Sequence, residues 1–216
     1  MAREVTPLLA HHLAEASKVL GRAFRDDPGW CAVFAGLDDD ERQRRMTWFF
    51  HANLSACLKR GRPVEIREQD RTLAVATLYP PGSYPLPTAE QLAMFTRSLW
   101  HAGLLRRDTW VIMKRALDMT SVMSKEHPQR EHFYGEYLGV VPDCQGQGMG
   151  SLITRSMIEM ADRQQAGAYL ETANPRNVLL YERLGFRTVR EKEILGRPMW
   201  FMWRDPGAVA GSSSPG

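Results

Sequence analysis

The stretch VVPDCQGQGMGSLI, residues 140–153, decides how this chain is read. It follows the β-rich run YGEYLG, precedes an apolar helical pattern, and sets glycines at 146, 148 and 150. A loop that joins a strand to the first turn of a helix presents unpaired backbone N–H groups, and the helix dipole adds partial positive charge at the same point. Glycines there allow positive φ and let a phosphate come close to the amides. An anion site is therefore expected, against the plainer alternative of a flexible turn. Spacing narrows the anion. A dinucleotide fingerprint begun at Gly146 would need its third glycine at Ser151, and one begun at Gly148 would need it at Ile153. The Gly-Lys-Ser/Thr of a P-loop is absent. What fits is Q-x-x-G-x-G, on Gln145, Gly148 and Gly150.

Working outward, HFYGEYLGVV reads as the strand before the loop and 151–165 as the helix after it. AYLETA is a further strand, PRNVLLYERLG a short helix stopped by Gly185, and FRTVREKEIL with PMWFMWRD a final strand pair. Upstream, PLLAHHLAEASKVLGRAF places apolar residues at helical spacing from Pro7 to Phe24, ended by DDPGW. A second helix is expected from Asp39 to Lys59, with acids in its first turn and KRG at its end. PVEIREQD and RTLAVATLYPPG read as two strands with a turn near Gln69 to Arg71. A long helical stretch from Thr88 to Ser124 follows, broken near Leu105 to Thr109. The alternation of strand and helix in the second half indicates an α/β arrangement with a βαβ unit around the glycine loop. Residues 206–216, PGAVAGSSSPG, read as a flexible tail behind a single domain over 1–205.

A chain of 216 residues with 44% hydrophobic and 25% charged residues is ordinary for a folded protein. The formal charge of +3 is small, and basic residues mix with acids, as in DDDERQRRM at 38–46, which argues against nucleic-acid binding. Three widely spaced cysteines, Cys31, Cys57 and Cys144, suggest neither a disulfide framework nor a metal pair. No signal-peptide core or membrane-length apolar run is visible, so a cytoplasmic location without membrane attachment is expected. No HExxH or Cys/His zinc spacing exists, so no metal is expected. His11 and His12 read as part of an amphipathic helix, and the Trp/Met-rich middle as core or lid.

The loop, with LGVVPD before it and YLETANPRNVLLYERLGF (169–186) after it, resembles the GCN5-related N-acetyltransferase superfamily, over about residues 132–203. Within it, the chain looks closest to the puromycin N-acetyltransferase-like branch. The resemblance implies a mixed, mostly antiparallel sheet flanked by helices, with a βαβ unit binding acetyl-coenzyme A. It implies acetyl transfer to a primary amine of a small molecule, in a ternary complex; a monomer and a homodimer both stay open. The rivals are a non-catalytic acyl-CoA-binding regulatory module and a protein or peptide N-acetyltransferase. Two departures stand out: only AREVT is available for the family's opening strand, and the helical middle is long.

Carried over by motif, Gln145, Gly146, Gln147, Gly148, Met149, Gly150 and Ser151 would surround the pyrophosphate, while Leu138, Gly139 and Val140 would offer backbone to pantetheine. Asn177 matches the family's pantetheine-contacting amide. Asn174 is a second candidate, with helix capping as its alternative because Asn-Pro is a strong start signal. Tyr181 matches the family's tyrosine near the cofactor sulfur, where a phenol protonated at neutral pH can give a proton, with a core aromatic on a helix face shared with Val178 and Phe186 as its alternative. From the residues themselves, strand alternation puts His132, Tyr134, Glu136 and Leu138 on one face. Glu136 is the candidate general base, with pairing to an arginine as its alternative. His132, Tyr134 and Glu171 are candidates for the acceptor pocket. Cys144 has no histidine in the adjoining loop or helix to activate it and reads as structural.

Overall fold

The computed structural model describes residues 3–102 and 106–208. Its strands are β1 (Thr6–Pro7), β2 (Val64–Glu68), β3 (Arg71–Tyr79), β4 (His132–Val140), β5 (Gly167–Thr172), β6 (Arg187–Ile194) and β7 (Arg197–Arg204). They form one sheet in the order β1-β2-β3-β4-β5-β7-β6, and β4–β5 is its parallel pair among otherwise antiparallel neighbours. The helices are α1 (Leu13–Ala23), α2 (Pro28–Val33), α3 (Asp39–Arg60), α4 (Thr88–Ala102), α5 (Arg107–Glu126), α6 (Met149–Arg163) and α7 (Pro175–Glu182). The mixed, mostly antiparallel sheet with helices on its faces, and the β4–α6–β5 unit, are as the sequence indicates. Among the described residues no helix is long and apolar enough to cross a membrane.

Close backbone approaches fix the layers. A Cβ at Gly139 would stand 2.8 Å from Ala23 Cβ and from Leu20 Cδ2, so α1 lies on one face of β4. A Cβ at Gly135 would stand 3.0 Å from Met157 Sδ, so α6 lies on the other. At Gly167 it would run into the ring of Trp203, which is buried under the Arg130 guanidinium at 3.5 Å from its centroid. Gly167→Ala is therefore expected to cost about 1–3 kcal/mol through overpacking. A urea denaturation series reads this as a lower midpoint at unchanged slope.

Several boundaries differ from the sequence reading, each for a local reason. The opening strand exists, but as two residues paired with β2. The first helix begins at Leu13 and not Pro7, because Pro7 belongs to the sheet, Leu8 N–H bonds to Pro63 O, and 10–12 form a 3-10 turn. The segment DDPGW does more than end a helix. Asp27 Oδ1 accepts from the amides of Gly29 (3.0 Å) and Trp30 (3.1 Å), and with Pro28 at the first position this starts α2. Helix α6 begins two residues early, at Met149, since Gly148 caps it in the left-handed region. The expected break in the long helical stretch falls between Ala102 and Arg107, with 103–105 outside the described residues. Of the expected tail, 209–216 also lie outside them.

Candidate active site

Where β4 and β5 part, the sheet opens. Their ladder runs from His132↔Gly167 to Gly135↔Leu170 and stops, although β4 continues to Val140 on its β3 side. From Glu136 to Val140 the β5-facing edge of β4 is thus free. At the same point β4 bulges. Gly135 stands opposite Leu78 and Tyr137 opposite Thr77, which leaves Glu136 without an opposite residue. Thr77 Oγ1 accepts from Tyr137 N–H at 2.9 Å, satisfying a backbone donor beside the bulge.

The extra residue breaks the expected alternation, so His132, Tyr134, Glu136 and Leu138 do not share one face. Leu138 turns toward the start of α6, its Cδ2 3.6 Å from where a Gly150 Cβ would stand. Tyr137 takes its place on the helical side, with ring centroids 5.2 Å from Phe50 and 6.1 Å from Trp30. Tyr134 packs against Tyr84 and His127 at 4.7 and 4.9 Å. Buried His132 does not line the cavity. Its Nδ1 faces Arg130 O and its Nε2 faces His127 Nε2 at 3.2 Å, so it holds His127, which does line the cavity.

That cavity, of about 740 Å³, lies between the splayed strands and the helices α2 to α5. Glu136 and Glu171 both open into it. Burial and the charge of Glu171 push the Glu136 carboxyl up to about 8, against the pull of the Tyr137, Tyr79 and Thr77 hydroxyls. Burial raises Glu171 to about 7, opposed by the hydroxyls of Tyr134 and Tyr169. These hydroxyls stand near the carboxylates, but Glu136 Oε2 and both Glu171 oxygens make no hydrogen bond of standard length and angle among the described residues. Neither glutamate has an arginine partner among the ion pairs of the described residues, the alternative open for Glu136 in the sequence. His127 falls to about 4 through burial and the neighbouring His132, so it is neutral at physiological pH.

Beyond the free strand edge lies the glycine loop. Gly146 and Gly148 have φ of 76° and 83°, and a Cβ at either would meet nothing within 4 Å, so φ and not packing calls for glycine. The amides of Gly146, Gln147, Gly148, Met149, Gly150 and Ser151 bond to no protein acceptor among the described residues, and the first amide of the α6 ladder is that of Leu152, bonding to Gly148 O. Gln145 Nε2 donates to Val140 O at 3.2 Å, tying the loop to the end of β4. Gln147 Oε1 accepts from Arg3 at 2.8 Å.

Asn174 Oδ1 caps α7 through Arg176 N–H at 3.0 Å, the capping alternative. Asn177 Nδ2 donates to Thr172 Oγ1 at 3.4 Å and borders the cavity, as does Tyr181. Burial, with a smaller push from Asp27, raises the Tyr181 phenol to about 12, which keeps it protonated. None of the three cysteines lines the cavity. Sequence reasoning missed Trp30, Tyr84, His127 and Tyr137; the Asp-Pro start of α2 was the one signal that could have placed Trp30.

A family model described as an acetyltransferase (GNAT) domain matches residues 106–188, from the start of α5 into β6. Among solved structures, a histone acetyltransferase HPA2 and related acetyltransferase from Corynebacterium glutamicum has a TM-score of 0.68 at 20% identity, covering 97% of this chain and 99% of that one. The C-terminal condensation domain of Ebony, in complex with β-alanyl-dopamine, has 0.67 at 10% identity, with 95% and 99% covered. Arylalkylamine N-acetyltransferase 2 from Aedes aegypti has 0.59 at 14% identity, with 95% and 99% covered. At these identities the likeness is one of fold, and it singles out no particular branch. The β4–loop–α6–β5 unit, the parted strands and these superpositions together give this chain the fold of the GCN5-related N-acetyltransferases.

Proposed function

We propose that the protein transfers the acetyl group of acetyl-CoA directly to a primary amine of a small molecule, with both substrates bound at once. One observation carries the reading: where β4 and β5 part, Glu136 and Glu171 bring two buried carboxylates with no cationic partner among the described residues to one end of the free β4 edge, and a run of free loop amides stands at the other. The donor fits what the residues offer. The amides of Gly146 to Ser151 at the start of α6 would hold the pyrophosphate, the β4 edge at Leu138 to Val140 would bond pantetheine, and Asn177 would reach it from α7. When bound, acetyl-CoA supplies an activated acyl carbon whose C–S bond breaks as the amine nitrogen bonds to it. Glu136 takes the proton that the amine must lose, at a carboxylate poised near neutral pH. Tyr181 gives its phenolic proton to the departing sulfur. Direct transfer agrees with a cavity lined by no cysteine, and a small acceptor with the cover that α4 and α5 place over it.

Calorimetric titration with acetyl-CoA, followed by thiol release across an amine panel, tests this. Binding and turnover are expected. No binding would remove the donor from the reading, and binding without turnover would favour a regulatory acyl-CoA-binding module. Tyr181→Phe is expected to lower kcat roughly 10- to 100-fold while acetyl-CoA affinity stays within a few-fold. A kcat within a few-fold of the parent removes the acid role.

A further inference from the structure

The cavity also carries information about the acceptor, because its wall is far more uniform than its floor. Ile112, Met113, Ala116, Met119 and Met123 recur at steps of one, three and four along α5, so an apolar stripe of that helix faces inward, with Thr109 and the exposed Thr120 and Ser124 bordering it. Phe34 of α2 and Phe49 of α3 also line the space. Two ionic groups that border this wall are already compensated within the protein. Asp27 accepts the two α2 amides, and buried Arg45 is bound by Glu41 and Asp108, each at 2.8 Å. Glu136 and Glu171 line the cavity with hydroxyls around them but no cationic partner among the described residues.

The cavity therefore has one place for a cation and a long apolar run beside it. A second ammonium would lose its water along the apolar stripe of α5 and find no counter-charge there, a cost of several kcal/mol. Methionine-rich walls adapt to differently shaped apolar bodies. We propose that the acceptor is a hydrophobic monoamine: one primary amine on an uncharged aryl or alkyl body, its nitrogen at Glu136 and Glu171 and its body along α5. The proposal rests on the acyl transfer argued above.

The test compares octylamine, phenethylamine and the diamine of octylamine's chain length with an ammonium at each end. Thiol release is measured for each, with acetyl-CoA affinity measured in parallel. In the parent protein kcat/KM for octylamine is expected to exceed that for the diamine by roughly 100-fold or more, the cost of stranding one ammonium in the apolar wall. Met113→Glu supplies a counter-charge on that wall and is expected to narrow the preference at least roughly tenfold. Met123→Glu, one stripe position further, is the second variant should the first fail to fold, and unchanged acetyl-CoA affinity reports folding in either. A parent that uses the diamine or a polar amine as well as octylamine overturns the hydrophobic monoamine, as does acetyl-CoA binding with no turnover of the apolar amines. A preference unmoved in a folded glutamate variant also overturns it. Absence of acetyl-CoA binding sinks the acyl-transfer reading itself, a distinguishable result.

Discussion

Glu136→Gln is expected to lower kcat/KM by roughly 100-fold or more and, at alkaline pH, to make the protein more stable. The amide keeps the shape of the side chain but cannot take a proton from the amine. Its effect on stability follows from the raised carboxyl. In the folded protein this group titrates near 8 and in the unfolded chain near its ordinary 4.5. Below 4.5 both states hold the proton and Glu136 costs nothing. Between 4.5 and 8 the folded state keeps a proton that the unfolded state has released, so stability falls as pH rises, and the full cost is present above 8. Glutamine removes that cost. Parent and variant should melt together near pH 4 and diverge toward pH 9, where the variant should melt higher by roughly 5–10 °C. The same carboxylates set the parent's activity profile. Because Glu171 is pushed up alongside Glu136, kcat/KM should rise with pH through the neutral range as a property of the pair, and Glu136→Gln should abolish that rise. Equal melting at all pH values would mean that the carboxylate is solvated and not the base described here.

Gly148→Val is expected to weaken acetyl-CoA binding by roughly 100-fold or more, since the proposed pyrophosphate contacts are backbone amides whose directions depend on φ at this residue. An added Cβ has open space, for no atom outside the neighbouring residues lies within 4 Å of it. Its penalty is conformational: a β-branched residue at φ of 83° costs about 1–2 kcal/mol or leaves the left-handed region and turns the amides away. Gly196→Val is the matched control. Gly196 has φ of 72°, also has nothing within 4 Å, and sits in the β6–β7 hairpin away from the loop. It should lose comparable stability and keep its affinity in calorimetric titration. Equal affinities for both variants would remove the loop amides from the donor site.

The two variants fall on opposite sides of what a sequence can disclose. Gly148 was legible because the requirement is local: positive φ before a helix leaves glycines at fixed spacing, and the same locality made β4, α6, β5 and α7 readable as a series. Glu136 was legible as a carboxylate on a strand, but its surroundings were not. The bulge adds one residue to β4 against β3, and HFYGEYLGV alternates well enough to hide it. Alternation then put Leu138 on one face with Tyr134 and overlooked Tyr137, although all three border the cavity. Helix α2, of six residues, is too short for periodicity to register, although its Asp-Pro start was in plain view. The apolar wall of the cavity was unreadable for a different reason. Ile112, Met119 and Phe49 look the same in a sequence whether they fill a core or line a space, and the difference lies in what stands opposite.

The place of α4 and α5 in the chain has a consequence for inheritance and engineering. Both leave from the end of β3 and return to the start of β4, yet Tyr79 and Tyr134 are direct partners across those two strands. The sheet is therefore continuous at the joint, and residues 80–131 form a cassette between two paired strands, tied to the body by Arg45–Asp108 and Arg60–Glu90. The cassette supplies much of the apolar wall, whereas the glycine loop, the free β4 edge, Asn177 and Tyr181 all follow it in the chain. On the proposed function, grafting another sequence between the same two tyrosines, with partners kept for Arg45 and Arg60, is expected to exchange what the protein accepts while leaving in place the segments proposed to face the donor. New acceptor preferences can arise in this scaffold by recombination at two neighbouring points of one ladder.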